Sequence, residues 1–119
     1  MFKTVEFLVR KPGISKEDFR DYYETKHRPL AFKTFPQIVK HVRNYTDDNP
    51  AMWSHDTDQP WDCIVEIYYK DKAGFEALNE FMSDPERNRE VLEDGMNFLD
   101  IDKCGRLLVD DVTTDRSQS

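Results

Sequence analysis

The alternation of apolar and polar residues along the chain predicts four β-strands. The predicted strands cover residues 2–10, 37–46, 61–70 and 103–112, and each contains β-branched or aromatic residues. A Pro12-Gly13 turn follows the first strand directly. Between the second and third strands lies the polar stretch DDNPAMWSHDTDQP, which we interpret as a loop of a length that is often functional.

Apolar residues at helical spacing follow the first strand. They predict a helix over residues 16–26 with Ser15 as its N-cap. Pro29 disfavours a helical conformation for the residue before it, so we expect the helix to end near His27. One face of this helix carries Phe19, Tyr23 and His27.

Two further helical segments follow the third strand. The first spans residues 72–83, and the second begins at Asp84-Pro85, a cap followed by proline at the first helical position. The order β-α-β-β-α-β predicts an α+β domain of the ferredoxin-like class, with a four-stranded antiparallel sheet and helices on one face. This domain covers residues 1–112, and the polar residues 113–119 are expected to form a disordered tail.

Each predicted strand has a fully apolar face and a mixed face. The apolar set comprises Val5, Phe7 and Val9 in the first strand and Cys63, Val65, Ile67 and Tyr69 in the third. The mixed set comprises Glu6, Leu8, Ile64, Glu66 and Tyr68, together with His41 and Arg43 of the second strand. We expect the helices to cover the apolar faces. The mixed faces then either make salt bridges on an open sheet or pair with a second copy and enclose a cavity.

Composition narrows the classes of partner. The chain has 119 residues, enough for one domain, and its net charge of −7 argues against nucleic acid and against an anionic membrane surface. No apolar run approaches the roughly 20 residues that span a bilayer. Two cysteines without a framework spacing favour the reducing cytoplasm. The aromatic share of 13% is high and suits a pocket for a flat, apolar ligand.

Three segments resemble the EthD-like family of dimeric α+β barrel proteins. LVRKPGISKEDFRDYYETKHRPLA resembles the opening motif, DCIVEIYYKDKAGFEAL the third strand with its glutamate, and EDGMNFLDIDKCGRLLVDDV the closing stretch. The resemblance implies a ferredoxin-like fold and a homodimer. Some relatives isomerise muconolactone-type compounds, and similar fungal proteins serve aromatic polyketide pathways as decarboxylases or dehydratases.

The resemblance matches His27, Tyr23 and Glu66 to family positions, whereas His41 and Gly95 depart from the pattern. A histidine at a helix C-terminus has its pKa raised towards neutrality by the helix dipole, which suits a general acid or base. The alternative is that His27 only caps the last carbonyls of the helix. The family motif favours the catalytic role.

The other candidates have two interpretations each. His41 is a pocket group, acting as a second acid/base or as a substrate hydrogen-bond donor, or it is an ordinary strand histidine. Glu66 and Arg43 bind substrate, or they form a buried ion pair with each other. The remaining candidate substrate-binding residues are aromatic: Tyr22, Tyr23, Trp53, Trp61 and Tyr68. His, Cys and Gly residues show neither metal-ligand spacing nor a phosphate loop, so neither a metal nor another cofactor is predicted.

Three hypotheses follow. The first is a cofactor-independent enzyme that binds an oxidised aromatic, polyketide-like or lactone-like molecule. Such an enzyme would decarboxylate, dehydrate, cyclise or isomerise its substrate by acid/base catalysis. The second is a non-catalytic small-molecule-binding or accessory protein. The third is a cofactor-free monooxygenase-type relative, by analogy of fold.

Overall fold

The computed structural model describes residues 2–47 and 60–118. Its four strands form one antiparallel sheet in the order β2-β3-β1-β4. The strands are β1, Phe2–Leu8; β2, Ile38–Tyr45; β3, Cys63–Tyr69; and β4, Gly105–Val109. This is the predicted α+β, ferredoxin-like arrangement, with β1 and β3 at the centre of the sheet.

The first helix continues past the predicted stop at His27. Helix α1 spans Lys16–Tyr22, a π-helical turn follows over Tyr23–His27, and α2 covers Arg28–Thr34. Ser15 caps α1 as predicted, because its Oγ accepts the backbone N–H of Asp18 at 3.0 Å. The expected end is wrong because the π turn leads directly into α2, and Pro29 lies in the first turn of α2, a position that tolerates proline.

The second pair of helices covers the same face of the sheet as the first. Helix α3 spans Lys72–Ser83, as predicted, and α4 spans Arg89–Met96. The start predicted at Asp84 is wrong, because residues 85–88 form turns before α4 begins. The Asp84 Oδ1 accepts the backbone N–H of Glu86 at 3.1 Å, so this side chain closes a turn instead of capping a helix. Short 3₁₀ turns occupy Ile101–Lys103 and Arg116–Gln118, the second within the predicted tail.

The face prediction is correct for β3 and inverted for β1. Cys63, Val65, Ile67 and Tyr69 are buried under the helices. In β1, however, Thr4 and Leu8 are buried there, opposite Ile67 and Cys63. The register with β3 decides the face, since residues directly opposite each other point to the same side of a sheet. The Thr4 hydroxyl tolerates burial because it shares a 3.2 Å hydrogen bond with the Tyr69 hydroxyl.

The same register moves two candidate residues to the helix side. His41 lies opposite Ile67 and Arg43 opposite Val65, so both side chains lie under the helices and not on the open face. A register shift between Ile38 and Lys40 sets this alternation in β2. Our placement of His41, Arg43, Glu6 and Leu8 on the open face is therefore wrong.

The open face of the sheet is more apolar than the alternation pattern suggested. It carries Val5 and Phe7 where Glu6 and Leu8 were expected, beside Ile64, Tyr68 and Leu107. The ring of Phe7 packs against Trp61 with ring centroids 5.2 Å apart. In the part of the chain that the structure describes, no helix has the length and apolar character to cross a membrane.

Candidate active site

A cavity lies between the sheet and the helices. Its inner part measures about 70 Å³ and its outer part about 280 Å³. Both parts are lined by Glu6, His27, Met82, Val91 and Arg106. The walls therefore come from β1, β4, the π turn, α3 and α4, and most of their surface is apolar.

The π turn brings His27 to this cavity. Phe19, Tyr23, His27 and Ala31 are each four residues apart and all face the sheet. In an α-helix, four residues overshoot a full turn by about 40°, so three such steps would carry Ala31 away from the core. The π turn contains an extra residue and takes back this rotation, with the Arg28 N–H donating to the Tyr23 carbonyl.

A carboxylate fixes the orientation of the His27 ring. The Nδ1–H of His27 donates to the Asp94 Oδ2 at 2.9 Å, and the Tyr22 hydroxyl donates to the Asp94 Oδ1 at 2.6 Å. The Asn97 Nδ2 donates in turn to the Tyr22 oxygen at 2.9 Å. Since an ionised carboxylate only accepts, Nδ1 carries the proton and Nε2 keeps its lone pair. No described residue hydrogen-bonds to Nε2.

The expected upward shift of the His27 pKa is wrong. Burial lowers the pKa of His27 from 6.5, and its hydrogen bond to Asp94 offsets this only in part. The helix-dipole argument does not apply, because α2 continues the helix beyond His27, which is therefore not at a helix C-terminus. His27 is therefore neutral at physiological pH, the form that accepts a proton.

His41 lines the inner part of the cavity, and its hydrogen bonds and pKa differ from those of His27. Its Nε2 shares a 2.9 Å hydrogen bond with the Tyr23 hydroxyl, and its buried Nδ1 has no partner among the described residues. Burial, reinforced by Arg43, lowers the pKa of His41 to about 4. The geometry suits a neutral hydrogen-bonding group better than a group that exchanges protons near neutral pH.

The predicted ion pair between Glu66 and Arg43 is wrong, because the two residues lie on opposite faces of the sheet. Arg43 makes two hydrogen bonds to Glu24 at 2.6 and 2.8 Å, and the Tyr45 hydroxyl donates to the same carboxylate at 2.5 Å. Glu66 instead pairs with Lys3 at 2.7 Å. Arg43 is thus a structural link between the π turn and β2.

The remaining candidates lie away from the cavity or outside the described residues. Trp61, Glu66 and Tyr68 are on the open face, where any contact with substrate stays a prediction. Trp53 and His55 lie outside the described residues. Cys63 is buried in the core, and burial raises the pKa of its thiol to about 12, which agrees with inert packing.

Sequence reasoning missed four polar residues that line the cavity or support it: Glu6, Asn88, Asp94 and Arg106. Asp94 lies within the closing stretch on which the resemblance rests, but its contact with His27, 67 positions away, could not be assigned from the sequence. Glu6 and Arg106 could not be assigned without the register. Within residues 2–47 and 60–118, no group of three His, Cys, Asp or Glu side chains could hold a metal ion.

The fold is shared with solved structures of low sequence identity. An EthD family protein from Bacillus halodurans aligns with a TM-score of 0.65 and 19% identity, over 94% of this chain and 100% of its own. HapK from Hahella chejuensis aligns with a TM-score of 0.59 and 12% identity, over 95% of both chains. A dimeric protein of unknown function with a ferredoxin-like fold, from Bacteroides fragilis, aligns with a TM-score of 0.53 and 11% identity, over 91% of both chains.

The sequence itself carries a family signature. Among curated proteins, none matches this chain. The family model described as the EthD domain matches residues 11–102, a span that includes both His27 and Asp94. The chain therefore belongs to the EthD family.

Proposed function

We propose that this protein is an enzyme that moves protons on a small, mostly apolar, oxygen-bearing molecule bound in the cavity. The observation that supports this is the His27–Asp94 pair: Nδ1 is held at 2.9 Å and Nε2 is left without a partner among the described residues. A neutral imidazole with a fixed tautomer, on the wall of an apolar cavity, is suited to act as a general base.

The reaction would proceed by proton removal and return. His27 Nε2 takes a proton from a carbon beside a carbonyl group, and the electron pair of the C–H bond passes to the carbonyl oxygen. Asp94 then stabilises the imidazolium ion that forms. The protonated His27 returns the proton to another carbon, which completes an isomerisation, or gives it to a hydroxyl group that leaves as water when its C–O bond breaks. In a decarboxylation, the C–C bond to the carboxylate breaks instead, its electron pair passes to the carbonyl oxygen, and the enolate that forms takes up a proton at carbon. Oxidised aromatic, polyketide-like and lactone-like molecules fit this chemistry, as lyase or isomerase substrates.

We also propose that the protein is a homodimer joined through the open face of the sheet. The apolar side chains of that face support this, and so does the similarity of fold to the Bacteroides fragilis protein described as dimeric. A cytoplasmic location stays a prediction.

Deuterium exchange tests the catalytic role directly. The protein is incubated in D₂O with an aromatic β-keto acid and an unsaturated lactone, and incorporation of deuterium and loss of mass are followed. We expect His27→Gln to slow the reaction by about 10²–10⁴-fold, the usual contribution of a general acid or base. Thermal unfolding of the variant should match the wild type.

His55→Gln is the matched control and should leave the rate unchanged. If His55→Gln abolishes exchange while His27→Gln does not, the long loop between β2 and β3 is the active element. If no probe exchanges but both bind, the chain is a binding or accessory protein.

A further inference from the structure

Glu6 and Arg106 face each other across neighbouring strands without forming an ion pair. They are direct partners in the β1–β4 register and line both parts of the cavity. Opposite charges at such positions attract, and salt bridges between them are common. The described residues instead include no hydrogen-bond partner for the Glu6 carboxylate. The Arg106 guanidinium donates away from it, to the Tyr69 hydroxyl at 3.3 Å and the Met82 Sδ at 3.4 Å.

These two residues are the only carboxylate and the only permanent cation among the described residues that line the cavity. The Glu6 side chain is half-buried and lines the wall of the cavity. Burial raises the pKa of Glu6, and the opposing effect of Arg106 is smaller. When Glu6 is protonated, the charge of Arg106 has no counter-ion in an apolar space, which favours entry of an anion.

A third polar group lines the outer part of the cavity. Asn88 is 6% exposed, and its Oδ1 atom has no hydrogen-bond partner within the part of the chain that the structure describes. A buried acceptor without a partner costs free energy that a ligand hydroxyl group could recover. The cavity therefore offers a cation, a carboxyl group and an oxygen acceptor on otherwise apolar walls.

We propose that Glu6 and Arg106 form a proton-coupled subsite for a carboxylate of the ligand, and that Asn88 accepts a hydroxyl group of the same molecule. This rests on the proposed function and deepens it, because it names the acidic head group that the substrate carries. One carboxylate oxygen accepts from the Arg106 guanidinium and the other accepts the O–H of Glu6. When Glu6 is ionised in the free protein, it takes up one proton from solvent as the ligand binds.

Other titratable groups face the same cavity, so the experiment must distinguish proton uptake by Glu6 from proton uptake by these groups. They are Tyr23 and His27 of the π turn, His41 of β2, Tyr69 of β3, and Cys104 and Arg106 at β4. Helices α3 and α4 contribute only uncharged side chains to the cavity. Glu6→Gln separates Glu6 from all of these groups, since glutamine can still donate a hydrogen bond but cannot titrate.

Titration calorimetry with salicylate tests the subsite. Measured at a series of pH values, each in two buffers of different ionisation enthalpy, binding should show net proton uptake in the wild type at the pH values where Glu6 is ionised in the free protein. In Glu6→Gln, binding should persist and proton uptake should disappear. Salicylamide, which lacks the charge, should bind without proton uptake in both proteins. Equal uptake in the wild type and Glu6→Gln overturns the proposal.

Two further variants test the partners of the ligand. Arg106→Met should weaken salicylate binding by about ten- to a hundredfold, as expected for loss of a charged hydrogen bond, and leave salicylamide unchanged. Asn88→Leu should remove the preference for salicylate over benzoate. Arg89→Met, on the exposed side of α4, is the matched control for charge and should bind as the wild type does. Unfolding curves establish that each variant is folded.

The outcomes separate this proposal from the catalytic one. His27→Gln leaves Glu6 and Arg106 in place and should still bind salicylate with Glu6-dependent proton uptake. Unchanged binding in Arg106→Met, or no binding of any probe up to about 10 mM, overturns the subsite even if exchange depends on His27. Proton-coupled binding without His27-dependent exchange overturns the catalytic role and leaves the subsite standing.

Discussion

Asp94 holds the His27 ring with one carboxylate oxygen and receives the Tyr22 hydroxyl with the other. These contacts restrict the ring to one tautomer and one orientation, which is what a base that must return its proton requires. Gly95, which we expected to depart from the family pattern, lies beside the same ring. A Cβ at Gly95 would lie 3.7 Å from the His27 Cε1, an ordinary contact distance, so an alanine there would fit.

Asp94→Asn should lower the rate of exchange by about 10²–10⁴-fold, because an amide can donate to Nδ1 and place the His27 proton on the wrong nitrogen. Asp94 raises the pKa of His27 against the larger effect of burial. Its loss should therefore move the acid limb of the pH–rate profile, which we expect below pH 6.5, to a still lower pH. Tyr22→Phe removes only a partner of Asp94 and should cost less than about tenfold. An acid limb that moves upward would contradict this account.

Among the elements, the π turn has two roles. It keeps four inward residues on one face of a helix that contains a proline, and it carries Glu24 towards β2. Arg43 and Tyr45 hold that carboxylate, and the hydrogen bonds from Arg43 are the main reason that the pKa of Glu24 falls from 4.5 to about 2. The register of β2 is thus tied to the position of the helix above it.

Glu24→Gln should lower the free energy of unfolding by about 1–2 kcal/mol at neutral pH, because it removes a charged, partly exposed pair. A lowered pKa in the folded state stabilises the fold above pH 4.5 and loses this effect as the pH falls towards 2. Urea unfolding should therefore show the difference from the wild type shrinking below pH 4.5. Glu76→Gln, in the exposed 3.6 Å pair with Lys72, should change stability by less than about 0.5 kcal/mol. If the difference in unfolding free energy between the wild type and Glu24→Gln stays constant with pH, the ionised Glu24–Arg43 pair does not stabilise the fold.

At the scale of the whole molecule, one side of the sheet is covered by helices and the other is not. Leu107 on the open face is 56% exposed, and Leu108, its neighbour on the opposite face of β4, is 55% exposed. These two leucines allow the two faces of the edge strand to be compared at equal exposure. Leu8, which the alternation pattern placed on the open face, is buried under the helices, so a charge there would report on folding instead.

Leu107→Asp should weaken a dimer formed through the open face by at least about tenfold in dissociation constant, because a charge would be buried between the sheets. Leu108→Asp should leave the dimer intact. Sedimentation over a range of concentrations measures both. A wild-type monomer at micromolar concentration, or equal effects of the two substitutions, would exclude an interface on this face.

The elements of this fold could be predicted from sequence because hydrophobic periodicity is local. Strand β3 and helix α3 show this, and Ser15 identified the start of α1. The side of the sheet that each β1 residue faces was not predictable in this way, since Thr4 is buried only through its partner Tyr69 in β3. His27 was found by motif, but its orientation depends on Asp94, and the Glu6–Arg106 pair depends on strand order. These features depend on contacts between distant parts of the chain, which the local sequence pattern does not reveal.

The hydrogen bond between His27 and Asp94 joins residues 67 positions apart. A nascent chain that has emerged only as far as β3 contains the histidine but not the carboxylate that sets its tautomer. Such a chain has a complete first β-α-β half, but no carboxylate fixes the tautomer of its His27 imidazole. The proposed activity would therefore arise only when α4 docks against the π turn, late in synthesis. Chains that end before α4 would lack it.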